Sequence, residues 1–380
     1  MAKSALRRRA KEARSWLFDN CFALWSAEGV NPSGFFAEVL SLDHTAVTKD
    51  VTRIRVQARQ TYVFAQAYQL GWNSDLAYER AESGLRILSE HCRRSDGLIG
   101  RTLNAETGEI IDETRDLYDT AFVLFALASL ANIEAFRTEA LKTANSILAA
   151  VDANMLDPVT GGYAETLPRG PKRNQNPHMH LLEACLALHS VQPEGGHLIR
   201  ASEIIELFET RFTAGPNGLL AEFFATDWTE SSGRDAKIVE PGHQFEWVWL
   251  LHAYARAADL PVSEKASALF AFAQSNRDKE GRSVQEVSRD GVSEDGSRRT
   301  WPQTEALKAQ LAVYEATGDE TFAQDACKTF DILMDEYLTP EGGWIDHYAA
   351  DGAILAQDMP ASTGYHVVLA FSELIRVMGA

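Results

Sequence analysis

Pro241-Gly242-His243-Gln244-Phe245-Glu246-Trp247 opens a run in which Val248, Leu251 and Ala255 follow at helical spacing. A proline in the first turn of a helix costs nothing, because the N–H it lacks has no intrahelical partner. The same arrangement, a polar residue at the start of an apolar helix-like run, recurs at Arg55, Tyr118, His180, Glu305 and His366. With His243 these six positions are separated by 63, 62, 63, 62 and 61 residues. A second series interleaves with the first, each member a glycine followed by a short turn-like stretch: Gly34, Gly97, Gly162, Gly218, Gly281 and Gly343. A period this long is one supersecondary unit used six times. The two series together predict six loops converging on one end of a closed helical ring, each contributing one chemically chosen residue.

Two kinds of helix alternate between these marks. Val63, Ala67 and Leu70 form one apolar stripe, and Phe122, Phe125, Ala126 and Ser129 another. Residues 77–93, 136–151, 198–212, 262–276 and 320–337 carry a charged face instead. The apolar class is expected as an inner ring packed on all sides, the charged class as an outer ring wet on one side. Pro177, Pro302 and Pro360 lie, like Pro241, just before or at the apolar helices. Strand signals are confined to the glycine-led segments, such as Gly218–Phe224 and Gly343–Tyr348, which are expected as brief hairpins over the ring. The expected fold is therefore all-α: an (α/α)6 barrel, a toroid of six helical hairpins with short β segments in its loops. It is expected as a single domain over residues 1–380, because the longest polar stretches, Pro168–Pro177 and Ser288–Arg299, read as loops between repeats. The pocket of such a ring lies on its axis.

With 380 residues, 45% of them hydrophobic, the chain has ample material for one large core. A net charge of −18 argues against nucleic acid or an anionic membrane as partner. Cys21, Cys92, Cys185 and Cys327 are far apart, form no CxxC pair and sit in helix-like runs, so buried reduced thiols are expected. No stretch approaches the ~18 apolar residues of a membrane span. The basic start, Lys3–Arg14, could mimic a transit peptide, but Trp16, Leu17, Phe22 and Trp25 read as the buried face of a first helix. A cytoplasmic protein, monomer or homodimer, is expected.

Three segments could carry chemistry. His243 and Glu246 are spaced i, i+3 and share a helix face; a carboxylate beside an imidazole raises its pKa and orients it, as a general base needs. Asn176-Pro177-His178-Met179-His180-Leu181-Leu182-Glu183 repeats that pairing between His180 and Glu183, with Asn176 one turn before His180. His178, His180 and Glu183 have the composition of a metal site, but the two histidines point to different sides of a helix, so no metal is expected. In Met359-Pro360-Ala361-Ser362-Thr363-Gly364-Tyr365-His366, Ser362 or Thr363 can cap the last inner helix. His366 then lies in its first turn, where the helix dipole disfavours an imidazolium. Arg53, Arg55 and Arg59 straddle the first inner helix, and Arg55 is in phase with the repeat. Trp301 and Tyr118 beside Gln303, Glu305 and Asn176 suit a sugar, which presents a flat apolar face and paired donors and acceptors. Arg169, Lys172 and Arg173 could hold an anionic group over the pocket, but an exposed basic loop is the expected reading. No phosphate-cradling glycine loop, dinucleotide fingerprint or nucleophile elbow appears, and no cofactor is expected.

Taken together, these segments resemble the N-acylglucosamine 2-epimerase superfamily of sugar epimerases and isomerases over nearly the whole chain. The resemblance rests on Arg53-x-Arg55-x-Gln57, Asp116-Leu117-Tyr118-Asp119, Asn176-x-His178-Met179-His180-Leu181-x-Glu183, Pro241-Gly242-His243-x-x-Glu246-Trp247, Trp301-Pro302-Gln303-x-Glu305 and Pro360-Ala361-x-Thr363-x-Tyr365-His366. It implies metal-independent proton transfer at C2 of an open-chain sugar. His243 and His366 match the two acid–base histidines. Arg55, Tyr118, Asn176, His180 and Glu246 match sugar-binding residues, and Trp301, Gln303 and Glu305 match a further part of the substrate pocket. The last of these segments is most similar to the mannose isomerase and sulfoquinovose isomerase branch. The expected activity is aldose–ketose isomerisation of the mannose–fructose type through an enediolate. The alternative is a 2-epimerase acting on N-acylglucosamine, mannose/glucose or cellobiose.

Overall fold

The architecture comes from a computed structural model that describes residues 2–215 and 218–380. In chain order the helices are α1 (Ala2–Trp16), α2 (Phe22–Ala27), α3 (Ile54–Leu70), α4 (Ser74–Arg86), α5 (Leu117–Leu130), α6 (Arg137–Asn154), α7 (Asn176–Val191), α8 (His197–Leu207), α9 (Pro241–Ala258), α10 (Lys265–Ser275), α11 (Thr300–Thr317), α12 (Glu320–Ile332) and α13 (Thr363–Met378). From α3 onward the odd-numbered helices form the inner ring, each packed on the next, and α13 closes on α3. Each even-numbered helix from α4 packs outside the inner helix before it, while α1 covers α12 and α13. This is the (α/α)6 barrel.

The two helix classes are explained by burial. Every residue of α5 except Tyr118 is buried, and Tyr118 is spared because it faces the axial cavity. In α4, by contrast, only Ala77, Ala81, Gly84 and Leu85 are buried, one stripe at helical spacing. The N-terminal segment belongs to the ring: Trp16, Leu17, Phe22 and Trp25 are buried. Trp25 stacks on Trp344 of the last loop with centroids 4.6 Å apart, an aromatic contact worth ~0.5–1.5 kcal/mol beyond its buried area. All four cysteines are buried and unpaired. No described helix is long and apolar enough to cross a membrane.

The short strands do more than the expected hairpins. Val51–Arg53 pairs with Thr102–Asn104, Arg115–Asp116 with Thr166–Leu167, and Arg173–Asn174 with Phe223–Phe224. Ile238–Val239 then pairs with Glu286–Ser288, Arg298–Arg299 with His347–Tyr348, and Val39–Ser41 with Asp358–Pro360. Each loop is thus bonded to its neighbour all the way round, which ties the mouth of the barrel into a rim. Pro360 lies in this rim and does not open a helix; α13 begins at Thr363. The glycine series marks the turns that lead back from the outer helices, with Gly97 at φ 84° and Gly281 at φ 91°. In the sixth copy the left-handed residue is Gly342, one position before Gly343.

Candidate active site

The N-terminal ends of the inner helices surround an axial cavity of about 480 Å³, a size typical of small-molecule sites. Arg59, Tyr118, Asn176, His180, His243, Glu246, Trp301 and His366 line it, together with Glu240, Gln285, Arg299 and Asp346 from the loops.

His243, in the first turn of α9, donates from Nδ1 to Glu222 Oε2 at 2.9 Å, and Glu240 lies 3.9 Å away. Glu222 also accepts from Gln175 Nε2 at 3.0 Å, and Gln175 Oε1 accepts from Trp247 Nε1 at 2.8 Å, so the carboxylate is fixed from both α7 and α9. Burial alone would lower the pKa of His243. Glu222, Glu240 and Glu246 outweigh it and raise the imidazole to about 10, which favours its cation at neutral pH. Its Nε2 lies 3.2 Å from Asn176 Nδ2, while Asn176 Oδ1 is buried without a partner. By turning its amide over, Asn176 can offer that oxygen to a protonated Nε2.

His366, in the first turn of α13, donates from Nδ1 to Glu305 Oε1 at 2.9 Å, which leaves Nε2 as the free ring nitrogen. Its pKa is held well below the usual histidine range, chiefly by burial and then by Arg59, Lys308 and His180. Ser362 occupies the cap position of α13 but makes no side-chain cap bond, and Thr363 Oγ1 donates to Asp346 Oδ1 at 2.6 Å. Trp301 sits between the two imidazoles, with its centroid 5.0 Å from His243 and 5.9 Å from His366. Gly242 makes room for it: a Cβ there would come within 2.5 Å of the Trp301 ring. His180 donates to Glu183 Oε2 at 3.1 Å, and Tyr365 OH holds the same carboxylate at 2.5 Å.

Other expected site residues have partners or places that the spacing did not give. Glu246 is not the partner of His243; one turn deeper on α9, its Oε1 approaches His180 Nδ1 at 3.8 Å, and the loop residue Glu222 takes the expected place. Burial, and then Glu305, push its carboxyl well above the usual range. Gln303 is fully buried behind the wall, where its amide bonds Ser283 N–H at 2.8 Å and Ser283 C=O at 2.9 Å. Glu305 is also fully buried and supports His366 from behind. Arg55 bonds Asp119 Oδ1 at 2.9 Å and lines a neighbouring chamber of about 470 Å³ with Arg53, Arg59 and Arg101. The basic loop is already paired: Arg169 with Asp157, Lys172 with Asp235, and Arg173 with Glu165.

Residues that the sequence reading gave no role complete the site. Arg59 follows Arg55 by one turn on α3, so the i, i+4 spacing was its signal. It donates to Tyr118 OH at 2.8 Å and lies 4.0 Å from the centroid of the Phe122 ring. Among the described residues it makes no ion pair. Glu222 offered no sequence signal beyond its nearness to Gly218. Two sets of side chains could hold a cation, His180–Glu183–Glu246 and Glu222–Glu240–His243; the hydrogen bonds above already engage members of both. A larger groove of about 680 Å³ lies on the outside, by Asp152, Tyr163 and Arg200, with none of the axial acid–base residues in its lining.

The family profile described as N-acylglucosamine 2-epimerase (GlcNAc 2-epimerase) matches residues 34–370. A mannose-6-phosphate isomerase from Rhizobium meliloti (strain 1021) is 36% identical over 378 residues, 96% of each chain. The structure of a cellobiose 2-epimerase from Spirochaeta thermophila DSM 6192 superposes with a TM-score of 0.88 at 23% identity, covering 98% of this chain and 97% of that one. A crystal structure of D-mannose isomerase gives a TM-score of 0.85 at 21% identity, covering 98% of this chain and 97% of that one.

Proposed function

This chain belongs to the N-acylglucosamine 2-epimerase family and is a sugar isomerase or epimerase, and from that premise we propose that it interconverts mannose and fructose by proton transfer through an enediolate. One observation carries the proposal. His243 and His366 line one cavity and each donates Nδ1 to a buried carboxylate, so both present Nε2 to the same space. The carboxylates around His243 favour its cation, while burial, Arg59 and Lys308 favour neutral His366, which assigns acid and base.

His366 Nε2 takes the C2 proton of the open-chain aldose. The C2–H pair becomes the C1–C2 double bond, and the charge passes to O1. Arg59 and the protonated Nε2 of His243 hold that oxygen. Nε2 of His243 gives its proton to O1 and takes up the O2 proton, while His366 returns a proton to C1; the O2 pair becomes the C2 carbonyl and the product is the ketose. Tyr118, Asn176, His180 and Glu246 place the hydroxyls, and Trp301 packs against the carbon chain. Arg59 takes the role expected of Arg55, because Arg55 is committed to Asp119.

The alternative, 2-epimerisation, needs a second base to serve the opposite face of C2. An imidazolium with a pKa of about 10 is a poor proton donor to carbon and is rarely neutral, which favours isomerisation by one base. Glu222→Gln is therefore expected to shift the alkaline limb of kcat/KM from near His243's pKa of about 10 to lower pH. The sign follows from the loss of the carboxylate that favours the cation. The fraction of epimeric product is expected to rise at the same time. A pH–rate profile with product analysis checks both effects.

A second substrate reading, mannose 6-phosphate, is favoured by the arginine-lined chamber, which shares Arg53, Arg59, Tyr118, Asn176 and Ser362 with the cavity. Arg101, its side chain 43% exposed and its Nε 3.4 Å from Asp116, has no other ion-pair partner among the described residues and can turn its remaining N–H groups to a phosphate. Proton NMR of the protein with each sugar, with and without EDTA, tests the proposal. Fructose from mannose supports the main reading, fructose 6-phosphate alone supports the second, and glucose appearing first supports the epimerase. No product and no exchange at C2 with either sugar would overturn the proposal.

A further inference from the structure

Lys308 lies on α11 one turn after Glu305. It is fully buried, with Nζ 2.6 Å from Glu305 Oε2 and 4.1 Å from the centroid of the Trp249 ring. Neither lysine nor ring lines the cavity, and the proton transfer above does not use them. A buried lysine–glutamate pair neutralises charge wherever it occurs. This one differs in where the carboxylate leads, because its other oxygen accepts from His366 Nδ1 at 2.9 Å. Three groups thus run in line from the interior to the cavity: ammonium, carboxylate and imidazole.

We infer that Lys308 is a positioning residue for the reaction: from beneath the cavity it keeps Glu305 a carboxylate, and through Glu305 it keeps His366 Nδ1 protonated and Nε2 bare. The inference rests on the proton-transfer reading above.

The surroundings explain why a cation is needed there. Among the described residues, Glu246 and His243 on α9, Glu183 and His180 on α7, and Tyr365 on α13 act on the pair or share its carboxylates, and Arg59 on α3 acts on His366. Glu183, Glu246 and Glu305 are all buried. Burial raises Glu305 toward its neutral form, and Lys308 is the largest influence against that. Glu305, Glu246 and Glu183 together keep Lys308 charged despite its burial. A neutral Glu305 could equally donate to Nδ1, which would move the ring proton to Nε2 and remove the base. A carboxylate can only accept, so it fixes the reactive tautomer. It also stabilises the imidazolium that forms when C2 is deprotonated.

The test replaces Lys308 with methionine, which keeps the length of the side chain and removes the charge. At neutral pH kcat is expected to fall roughly 10- to 100-fold with KM little changed. The acid limb of the pH–rate profile is expected to move up by about one unit or more, because Glu305 must now ionise without its cation. Activity should recover in part at higher pH, which a purely structural role would not produce. Adding Lys308→Met to Glu305→Gln should cost little beyond Glu305→Gln alone, since the lysine acts through that carboxylate. If Lys308→Met does not fold, Lys308→Gln carries the same test and the same expected shift. An unmoved acid limb, or full additivity with Glu305→Gln, overturns the inference while leaving the proton-transfer reading intact. Failure of the unmutated protein to exchange C2 protons overturns that reading itself.

Discussion

His366→Ala is expected to lower turnover by roughly 10³- to 10⁴-fold and to abolish solvent exchange at C2, because the base assigned to the C2 proton is gone. The fold should survive. His366 sits at the cavity wall, and Glu305, no longer bonded to the imidazole, remains paired with Lys308 at 2.6 Å. Circular dichroism and the melting temperature separate this outcome from unfolding. Near-normal exchange with an intact fold would remove His366 from the role of base.

His243→Ala is expected to cost on the order of 10²- to 10⁴-fold through loss of the acid that meets O1. Its signature differs from that of His366→Ala. The residual activity should lose the alkaline limb that His243, with its pKa of about 10, imposes on the parent protein. The variant leaves Glu222 and Glu240 facing each other without a cation between them. Glu240, already raised to about 7 by burial and by Glu222, should move further up, because His243 no longer favours its charged form. A retained alkaline limb near its original position would assign that limb to another group and take the role of acid from His243.

The ring was legible because its cause is repetition: six inner helices need six apolar runs, and each run begins where a loop delivers a side chain to the axis. Tyr118, His180, His243 and His366 could therefore be read from spacing alone, as could the outer helices, whose single buried stripe leaves charge on the other face. What spacing could not supply was the partner of each axial group. The i, i+3 rule pairs residues on one helix, and it correctly paired His180 with Glu183. It mispaired His243 with Glu246, because the real partner, Glu222, comes from a loop that the rim strands fold against the helix. The same limit explains Gln303 and Glu305. Both are in or near phase with the repeat, but a helix in the inner ring has a back as well as a front, and these two face the back. Arg59 was hidden by its neighbour: Arg55 is in phase, yet Asp119 claims it, and the cavity receives the arginine one turn on. Lys308 carried no signal at all, since a lysine inside an apolar helix becomes informative only when the carboxylates around it are known.

The most direct test of the central claim is the fate of the C2 proton when mannose is converted in D2O. Transfer by His366 predicts deuterium at C1 of the fructose formed, a primary isotope effect with 2-deuteriomannose, and loss of both in His366→Ala. Fructose formed by His366→Ala at an undiminished rate, with the C2 hydrogen carried quantitatively to C1, would mean a hydride shift that needs no base and would contradict the account.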